Sequence, residues 1–348
     1  VYGANAANIN KLDLSWSKDA GVETKMLTVN LSALTGVDDV TLASNALTTL
    51  DITRNTSLAK LFINGNNITD IKFATNCALT RLEAQNTADA GENNLFKIDL
   101  SKAPLLNYLV MSFNNKNAEA TTIDLSKNVE LATIIATDCN LETLDVSKLT
   151  KLGQLTVNNN NLETVDVSQM PATGRVFAMN NKISSLVLPA KLDRLNVSNN
   201  KLTFATLPAT TIAKTYVYNN QKPMVVEAKD GKVDLASQAK VGDVETVFAW
   251  TADSEEFKDF TVAAGVFTFT KSANNAVCSM TNAALPALTL TTVPVNVEAD
   301  GSAVTEIEGA ESEEEAVYYN LQGVKVSGNE PGVYIRRQGN KTTKVIVK

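Results

Sequence analysis

Histidine is absent from the 348 residues of this chain. Its absence excludes Ser-His and Cys-His activation of a nucleophile, general base chemistry by an imidazole, and most zinc sites. Cysteine is scarce: the three residues are Cys77, Cys139 and Cys278. Three cysteines at such wide spacing fit neither a disulfide framework nor a zinc knuckle, and at least one thiol is left unpaired.

Positive charge and long apolar runs are also in short supply. The chain carries 31 Lys and Arg against 38 Asp and Glu, which gives a net charge of −7. This balance argues against a general nucleic-acid binder, because such a protein needs a basic face to neutralise phosphates. No apolar run reaches the roughly 18 residues of a membrane span, so we expect no span in this chain.

What the sequence does contain is a repeated apolar pattern. Leu-x-x-Leu-x-Val-x-x-Asn-x-Leu recurs about every 21 residues, most clearly over 152–162 and 192–202. Its first position falls at Val37, Leu58, Leu79, Leu106, Leu131, Leu152, Thr173, Leu192 and Ile212. This spacing is the leucine-rich-repeat signature, which predicts one short strand per repeat and a curved solenoid of stacked repeats.

The asparagine position of the pattern predicts a ladder inside the solenoid. A buried side-chain amide can satisfy backbone groups of its own repeat and its neighbours, where an unpaired group costs about 1–3 kcal/mol. The position reads Asn45, Asn66, Thr87, Asn114, Cys139, Asn160, Asn181, Asn200 and Asn220. We therefore interpret Cys139 as a small buried member of this ladder rather than as a reactive thiol.

A second motif, apolar-Asp-apolar-Ser/Thr, fills the other half of many repeats. It occurs at Leu50–Thr53, Ile98–Ser101, Ile123–Ser126, Leu144–Ser147 and Val165–Ser168. We expect these polar side chains to hydrogen-bond the local backbone and set the turns. A stack of aspartates that holds cations is the alternative, and we predict no metal site.

Two repeats, those that begin at Leu79 and Leu106, are longer than the others. We place the extra residues just after the asparagine position, around 87–94 and 115–120. Insertions in a solenoid form loops on one face, so these two predict a lip along one edge. Tolerated variation in loop length is an equally good interpretation.

The strand pattern also identifies side chains that the core does not need. Residues alternate between core and solvent along a strand, so the third, fifth and seventh positions face the concave side. Basic, aromatic and apolar residues are enriched there, a combination typical of a partner site, although β-propensity also favours aromatics in strands. We predict a binding surface made of Lys60, Phe62, Arg81, Tyr108, Val110, Ile135, Gln154, Arg175, Phe177, Met179 and Arg194.

The same count puts Lys214, Tyr216 and Tyr218 on the concave side of the last repeat. We expect the two tyrosines to be covered by the next domain, and we leave them out of the binding surface.

The repeat ends at Lys222, and short alternating strands separated by turns follow. Predicted turns include 230–231, 242–243 and 273–275, and Trp250 is the expected core anchor. The acidic run Glu311–Glu315 indicates a solvated linker. We predict an N-terminal cap (1–36), a solenoid of about nine repeats (37–222), an immunoglobulin-like β-sandwich (223–298), an acidic linker (299–316) and a small β-module (317–348). The fold is therefore β-rich with few or no long helices.

The repeats, with their Leu144-Asp-Val-Ser147 half, resemble leucine-rich-repeat surface proteins of Bacteroidetes-type bacteria and, more loosely, the internalins. The ending YNLQGVKV…PGVYIRR…KVIVK, over 319–348, resembles the C-terminal sorting or secretion tail of exported proteins from that bacterial group. The resemblance implies a secreted or surface-attached adhesin without enzymatic activity. Its ligand is a protein or glycan, with host molecules among the candidates, and no ligand residues carry over.

We therefore predict an extracellular or outer-surface binding module that acts as a monomer and uses no cofactor. One alternative is a structural surface scaffold without a ligand. Another is a carbohydrate-active enzyme with a carboxylate pair. Against the enzyme, the only acidic side chains in the concave columns are the isolated Asp39 and Glu83, and no nucleophile elbow or phosphate loop is present.

Overall fold

The computed structural model describes residues 8–17, 24–87, 91–115, 121–207, 211–299, 316–320, 323–327, 332–338 and 341–347. The chain divides into two compact units, Val1–Asp300 and Gly301–Lys348. The acidic run Glu311–Glu315, predicted to be a linker, lies outside the described residues.

The first unit begins with short parallel strands. These are β1 (Lys11–Asp13), β2 (Asp39–Thr41), β3 (Thr49–Asp51), β4 (Lys60–Phe62), β5 (Asp70–Lys72), β6 (Arg81–Glu83), β7 (Tyr108–Val110), β8 (Thr133–Ile135), β9 (Gln154–Thr156), β10 (Thr164–Asp166), β11 (Arg175–Phe177), β12 (Ser185–Val187), β13 (Lys191–Asn196) and β14 (Thr211–Val217). Ten of them form the main sheet, in the order β1-β2-β4-β6-β7-β8-β9-β11-β13-β14. Two side pairs, β3 with β5 and β10 with β12, lie in the other half of the repeats.

Nine strands of the main sheet, β2 to β14, coincide with the nine predicted repeats, which confirms the solenoid. The tenth, β1, comes from the region predicted as a cap and pairs with β2, with Lys11 opposite Asp39. Two 3₁₀ turns, Leu95–Lys97 and Leu100–Lys102, follow one another in a long repeat.

The fourth position of the repeat forms the centre of the core. In β2 to β13 this side chain is at most 1% exposed, as for Val40, Leu61 and Leu155. The in-register pairing aligns each fourth position with the next, for example Leu61 with Leu82. Burying one such side chain contributes about 1.5–3 kcal/mol, so the regular spacing of the apolar residues stabilises the stack.

The ladder exists, but Thr87 is not part of it. That prediction is wrong because the insertion precedes the ladder residue of its repeat. Asn93 takes the place: its side-chain amide donates to the carbonyl of Ile63 at 2.8 Å and accepts from the Ile68 N–H at 2.9 Å. Asn86 closes the insertion at its base, because its side chain donates to the Asn93 carbonyl and accepts from the Asn93 N–H.

Cys139 occupies a ladder position, as the sequence predicts. It is fully buried, and its Sγ lies 3.1 Å from the Met111 carbonyl of the preceding repeat. In other repeats the ladder asparagine donates to the equivalent carbonyl, as Asn66 does to Leu42. Burial raises the pKa of this thiol to about 12. The residue therefore substitutes for an amide in the ladder.

The last repeat is shifted by one residue relative to the sequence prediction. Leu192 pairs with Ile212, but Arg194 pairs with Thr215, so β14 carries one extra residue in a bulge. Because side chains alternate, one extra residue exchanges the two faces of a strand. Tyr216 and Tyr218 therefore pack on the core side, with ring centroids 4.5 Å apart, and the concave positions predicted for them are wrong.

The same shift moves the ladder to Gln221, so the assignment of Asn220 to the ladder is also wrong. The Gln221 amide donates to the carbonyls of Val197 and Tyr218 at 2.9 and 2.8 Å and accepts from the Leu202 N–H. Asn220 instead adopts a left-handed φ of 56°.

Two antiparallel sheets follow the solenoid within the first unit. Their strands are β15 (Ala228–Lys229), β16 (Lys232–Asp234), β17 (Lys240–Val241), β18 (Val244–Ala252), β19 (Glu255–Phe257), β20 (Phe260–Ala263), β21 (Val266–Phe269), β22 (Ala273–Asn282), β23 (Thr289–Thr291) and β24 (Val295–Val297). One sheet has the order β15-β16-β21-β20 and the other β17-β18-β22-β23, with β19 on β18 and β24 on β22. A 3₁₀ turn spans Ala236–Gln238.

An aromatic cluster fills the core of this β-region. Trp250 is 2% exposed and meets Phe267 and Phe269 edge to face, at centroid distances of 5.5 and 5.1 Å. Its predicted role as core anchor is confirmed. The predicted turn at 273–275 is wrong, because these residues begin β22. The register between β22 and β24 shifts between Ala273 and Ala276, where Asn275 has a φ of 47° in a bulge.

The described residues of the second unit form four strands, in the region predicted as a small β-module. They are β25 (Val317–Tyr319), β26 (Lys325–Val326), β27 (Gly332–Gln338) and β28 (Lys341–Val347). They pair antiparallel in the order β26-β25-β27-β28. Tyr318 packs edge to face on Tyr334, 6.4 Å between centroids.

Candidate functional site

The solvent-facing side of the main sheet, called the concave face below, carries the predicted binding residues. Pairing places the third positions in one row across the strands, in the order Lys60, Arg81, Tyr108, Thr133, Gln154, Arg175, Arg194. The fifth positions form a second row, in the order Phe62, Glu83, Val110, Ile135, Thr156, Phe177, Asn196. Threonines at 133 and 156 separate the larger side chains into two groups.

The first group is built around Arg81. Its guanidinium carbon lies 4.0 Å from the centroid of the Tyr108 ring and 5.6 Å from that of Phe62. Arg81 Nε also donates to Glu83 Oε1 at 2.8 Å. Cation–π contacts of this kind contribute about 0.5–1 kcal/mol at exposed sites, so they favour this arrangement of Arg81 in the free protein. Lys60 is the exposed neighbour of Arg81 in the row.

Glu83 is a member of this group that the predicted site does not include. Its signal was present in the sequence, because residues two apart on a strand share a face. Val110, in contrast, is only 6% exposed and offers little surface to a partner, whereas Ile135 beside it is half-buried.

The second group surrounds two arginines. Arg175 lies opposite Gln154 on one side and Arg194 on the other. Both arginines are exposed, while Phe177 and Met179, further along the same segment, are half-buried. The Asn158 side chain accepts from the Met179 N–H at 3.0 Å, which holds the backbone beside that side chain in place.

The bulge in β14 changes the charges at this end of the face. The sequence predicts Lys214 in the third-position row, and this prediction is wrong. Lys214 instead donates to Asp193 Oδ2 at 2.5 Å. The hydrogen bond from Lys214, and then the charges of Lys214, Arg175 and Lys191, lower the pKa of Asp193. Asp193, a carboxylate on which the charge of Arg175 acts, is therefore already hydrogen-bonded to Lys214.

A second, exposed amide ladder runs beside the concave face, and the sequence prediction missed it. Asn159 donates to Asp138, Asn180 to Asn159 and Asn199 to Asn180, at 3.1, 2.7 and 2.7 Å. Each of these four residues has a φ of 55–56°, a conformation that Asn and Asp tolerate best after Gly. The signal is the Asn-Asn doublet, whose first residue takes the left-handed turn while the second enters the buried ladder.

The aspartates of the second motif serve their own turns, as the sequence predicts. Asp51, Asp99, Asp124, Asp145 and Asp166 each accept from the backbone N–H two residues on. Hydrogen bonds from Ser or Thr lower the pKa of the first four. Among the described residues, no three side chains of His, Cys, Asp or Glu gather in a way that could hold a metal ion.

The strand of each repeat, the internal amide ladder and the outward rows define a leucine-rich-repeat solenoid. The functional domain of InlJ from Listeria monocytogenes, which includes a cysteine ladder, is similar in fold: the TM-score is 0.55 at 17% identity, over 84% of this chain and 68% of that one. A leucine-rich-repeat protein of Leptospira interrogans gives a TM-score of 0.43 at 16% identity, over 64% of this chain and 75% of its own.

At such identities the likeness concerns the fold alone. No protein-family model matches the sequence, and no curated protein matches it. No helix among the described residues is long and apolar enough to cross a membrane.

Proposed function

We propose that this protein is a non-enzymatic binding or adhesion module that engages a protein partner on its concave face. Solenoids of this class present an extended surface whose side chains are free of packing duties. Here that surface carries the residues predicted from the sequence, apart from the buried Val110, together with Glu83.

The observation that carries the proposal is the arrangement of Arg81 with Phe62 and Tyr108. An arginine held against two partly exposed aromatic rings is the composition found at interface hot spots. Because ring contacts and Glu83 already restrict Arg81, docking costs less side-chain entropy than it would for a free arginine.

The remaining regions complete the proposal. The two antiparallel sheets after the solenoid serve as an immunoglobulin-like stalk, and the C-terminal β-module acts as a sorting or secretion tail like those of Bacteroidetes-type bacteria. Both assignments are supported by the sequence resemblance and by the antiparallel pairing of the strands. They put the protein outside the cell or at its outer surface, where it acts as a monomer on a protein or glycan, host molecules included, without a cofactor.

The test is a binding screen of the purified protein against host matrix proteins and a glycan array. Each hit is then measured with a Phe62→Ala/Tyr108→Ala variant. The matched control is Leu105→Ala/Val129→Ala, which removes two side chains that are 50% and 45% exposed and lie outside the rows of the concave face.

We expect the first variant to bind a protein hit at least about tenfold more weakly, the size of a hot-spot loss. The control should bind like wild type, and both melting temperatures should stay within a few degrees. A protein hit that binds the first variant at full strength would contradict the proposal, and a screen without any hit would favour a structural scaffold.

A further inference from the structure

Arg175 and Arg194 differ from the other cations near the concave face. They are direct neighbours in β11 and β13, both are exposed, and neither forms an ion pair within the part of the chain that the structure describes. Like charges placed opposite each other on neighbouring strands destabilise a sheet. Among the described residues, the free protein therefore keeps two adjacent guanidinium groups without an ion pair. The carboxylate whose pKa the charge of Arg175 helps to lower, Asp193, is already hydrogen-bonded to Lys214.

Other cations near this sheet have an acidic partner or an acidic cross-strand neighbour. Lys11 lies 3.7 Å from Asp39, Arg81 is bonded to Glu83, and Lys214 to Asp193. Lys60 has an acidic residue, Asp39, opposite it on the neighbouring strand. The arginine pair stands out against this pattern in a chain whose net charge is −7.

The apolar neighbours narrow down the ligand. Phe177 and Met179 follow Arg175 by two and four residues, so the three side chains share a face at steps of roughly 6.6 Å. An extended peptide has the same step between alternate side chains. A carboxylate on such a peptide would meet the guanidinium groups while an apolar side chain two residues away would meet Phe177.

We propose that the patch formed by Arg175, Arg194, Phe177 and Met179 docks an extended protein segment that carries an acidic side chain and, two residues away on the same face, an apolar one. Guanidinium groups bind carboxylates through paired hydrogen bonds, which gives the site direction as well as charge complementarity. A sulfated glycan would satisfy the arginines but leave Phe177 and Met179 without an apolar partner. This inference rests on the proposed function, since it names the partner chemistry of one end of the same face.

The test uses the full chain as bait for a library of random displayed peptides, together with an array of sulfated oligosaccharides. Enriched peptides are remade and titrated against wild type and Arg175→Gln/Arg194→Gln. The matched control is Lys182→Gln/Lys201→Gln, which removes the same number of positive charges from the same two repeats. Each of these lysines directly follows the ladder asparagine of its repeat. A Phe62→Ala/Tyr108→Ala variant reports on the other end of the face.

We expect the enriched peptides to carry Asp or Glu two residues from an apolar side chain. The double arginine variant should bind them about a hundredfold more weakly, about tenfold for each charged hydrogen-bond donor lost, while the lysine control binds like wild type. Peptides without acidic residues, equal losses in the arginine and lysine variants, or hits confined to the sulfated sugars would overturn the inference.

The two proposals fail in different ways. If peptides respond to Phe62→Ala/Tyr108→Ala but not to the arginine variant, the concave face binds and only the acidic-segment inference is wrong. If no concave-face variant affects any enriched peptide, the proposed function itself is wrong.

Discussion

The internal ladder makes a sharp stability prediction at Asn181. Its side-chain amide donates to the carbonyls of Val157 and Ala178 at 2.9 and 3.1 Å and accepts from the Leu162 N–H at 3.1 Å. The residue is 1% exposed, so water does not replace these bonds. An Asn181→Leu substitution keeps the branched shape of the side chain and removes all three.

The magnitude follows from what each partner loses. Both carbonyls keep a second donor, because Asn160 also donates to Val157 at 3.0 Å and Asn200 to Ala178 at 2.9 Å. The Leu162 N–H is left buried without its acceptor, which costs about 1–3 kcal/mol. With the two weaker losses, we expect the free energy of unfolding to fall by about 2–4 kcal/mol.

Urea denaturation followed by circular dichroism measures this change. The matched control is Asn161→Leu, which directly follows the ladder residue Asn160 in the preceding repeat. There the backbone N–H donates to the Leu141 carbonyl, so a change of the side chain leaves that hydrogen bond in place. The control should change stability by less than about 0.5 kcal/mol, as for ordinary surface substitutions. If Asn181→Leu proves no more destabilising than Asn161→Leu, the ladder does not stabilise the solenoid through its hydrogen bonds.

Two further predictions concern a close approach and the thiols. At Gly91, an added Cβ would lie 2.7 Å from the Gly65 Cα, whereas Gly242, which also has a positive φ, has open space around it. Gly91→Ala should therefore lower the unfolding free energy by about 1–3 kcal/mol more than Gly242→Ala. Equal losses of the two variants in urea titrations would contradict this. Burial raises the pKa of Cys139 and Cys278 to about 12 and also raises that of Cys77. A disulfide reagent at pH 8 should therefore label no thiol in the native protein and three in urea. Since the folded-state pKa lies above the unfolded one, stability should also fall as pH rises above about 9, and a flat profile there would refute this linkage.

Much of the solenoid could be predicted from one short pattern. The apolar residue at the fourth position of each repeat has to face the core. The repeat therefore locates strands β2 to β13, their register and the outward rows. The pattern also locates Cys139, because a small residue in an asparagine position has to lie inside. Trp250 in a short alternating strand indicated a core in the same way.

Insertions and bulges defeat this approach, because the chain then offers several residues for one position. Thr87 stands at the expected spacing, but it is Asn93 whose side chain bonds the neighbouring backbone at Ile63 and Ile68. In the last repeat one extra residue in β14 exchanges Asn220 for Gln221. Both candidates are amides, so composition alone does not distinguish them.

The binding surface could likewise be predicted only in part. Alternation along a strand tells which side chains face outward, so Arg81, Arg175 and Arg194 could all be placed on the concave face. Arg81 finds its carboxylate, Glu83, two residues along its own strand, through rotamers that the pattern does not describe. Whether Arg175 and Arg194 find one depends on neighbouring strands about 20 residues away in the sequence.

The sequence by itself determined the repeat, the buried positions and the columns of side chains open to a partner, because these follow from the period of a strand and the need to bury apolar groups. Only the tertiary structure decided the rest. Contacts between repeats placed Asn93 and Gln221 in the ladder, turned the tyrosines of the last strand inward and bound Lys214 to Asp193. They also left Arg175 and Arg194 side by side without an ion pair among the described residues, since hydrogen bonds and ion pairs form between neighbours in space.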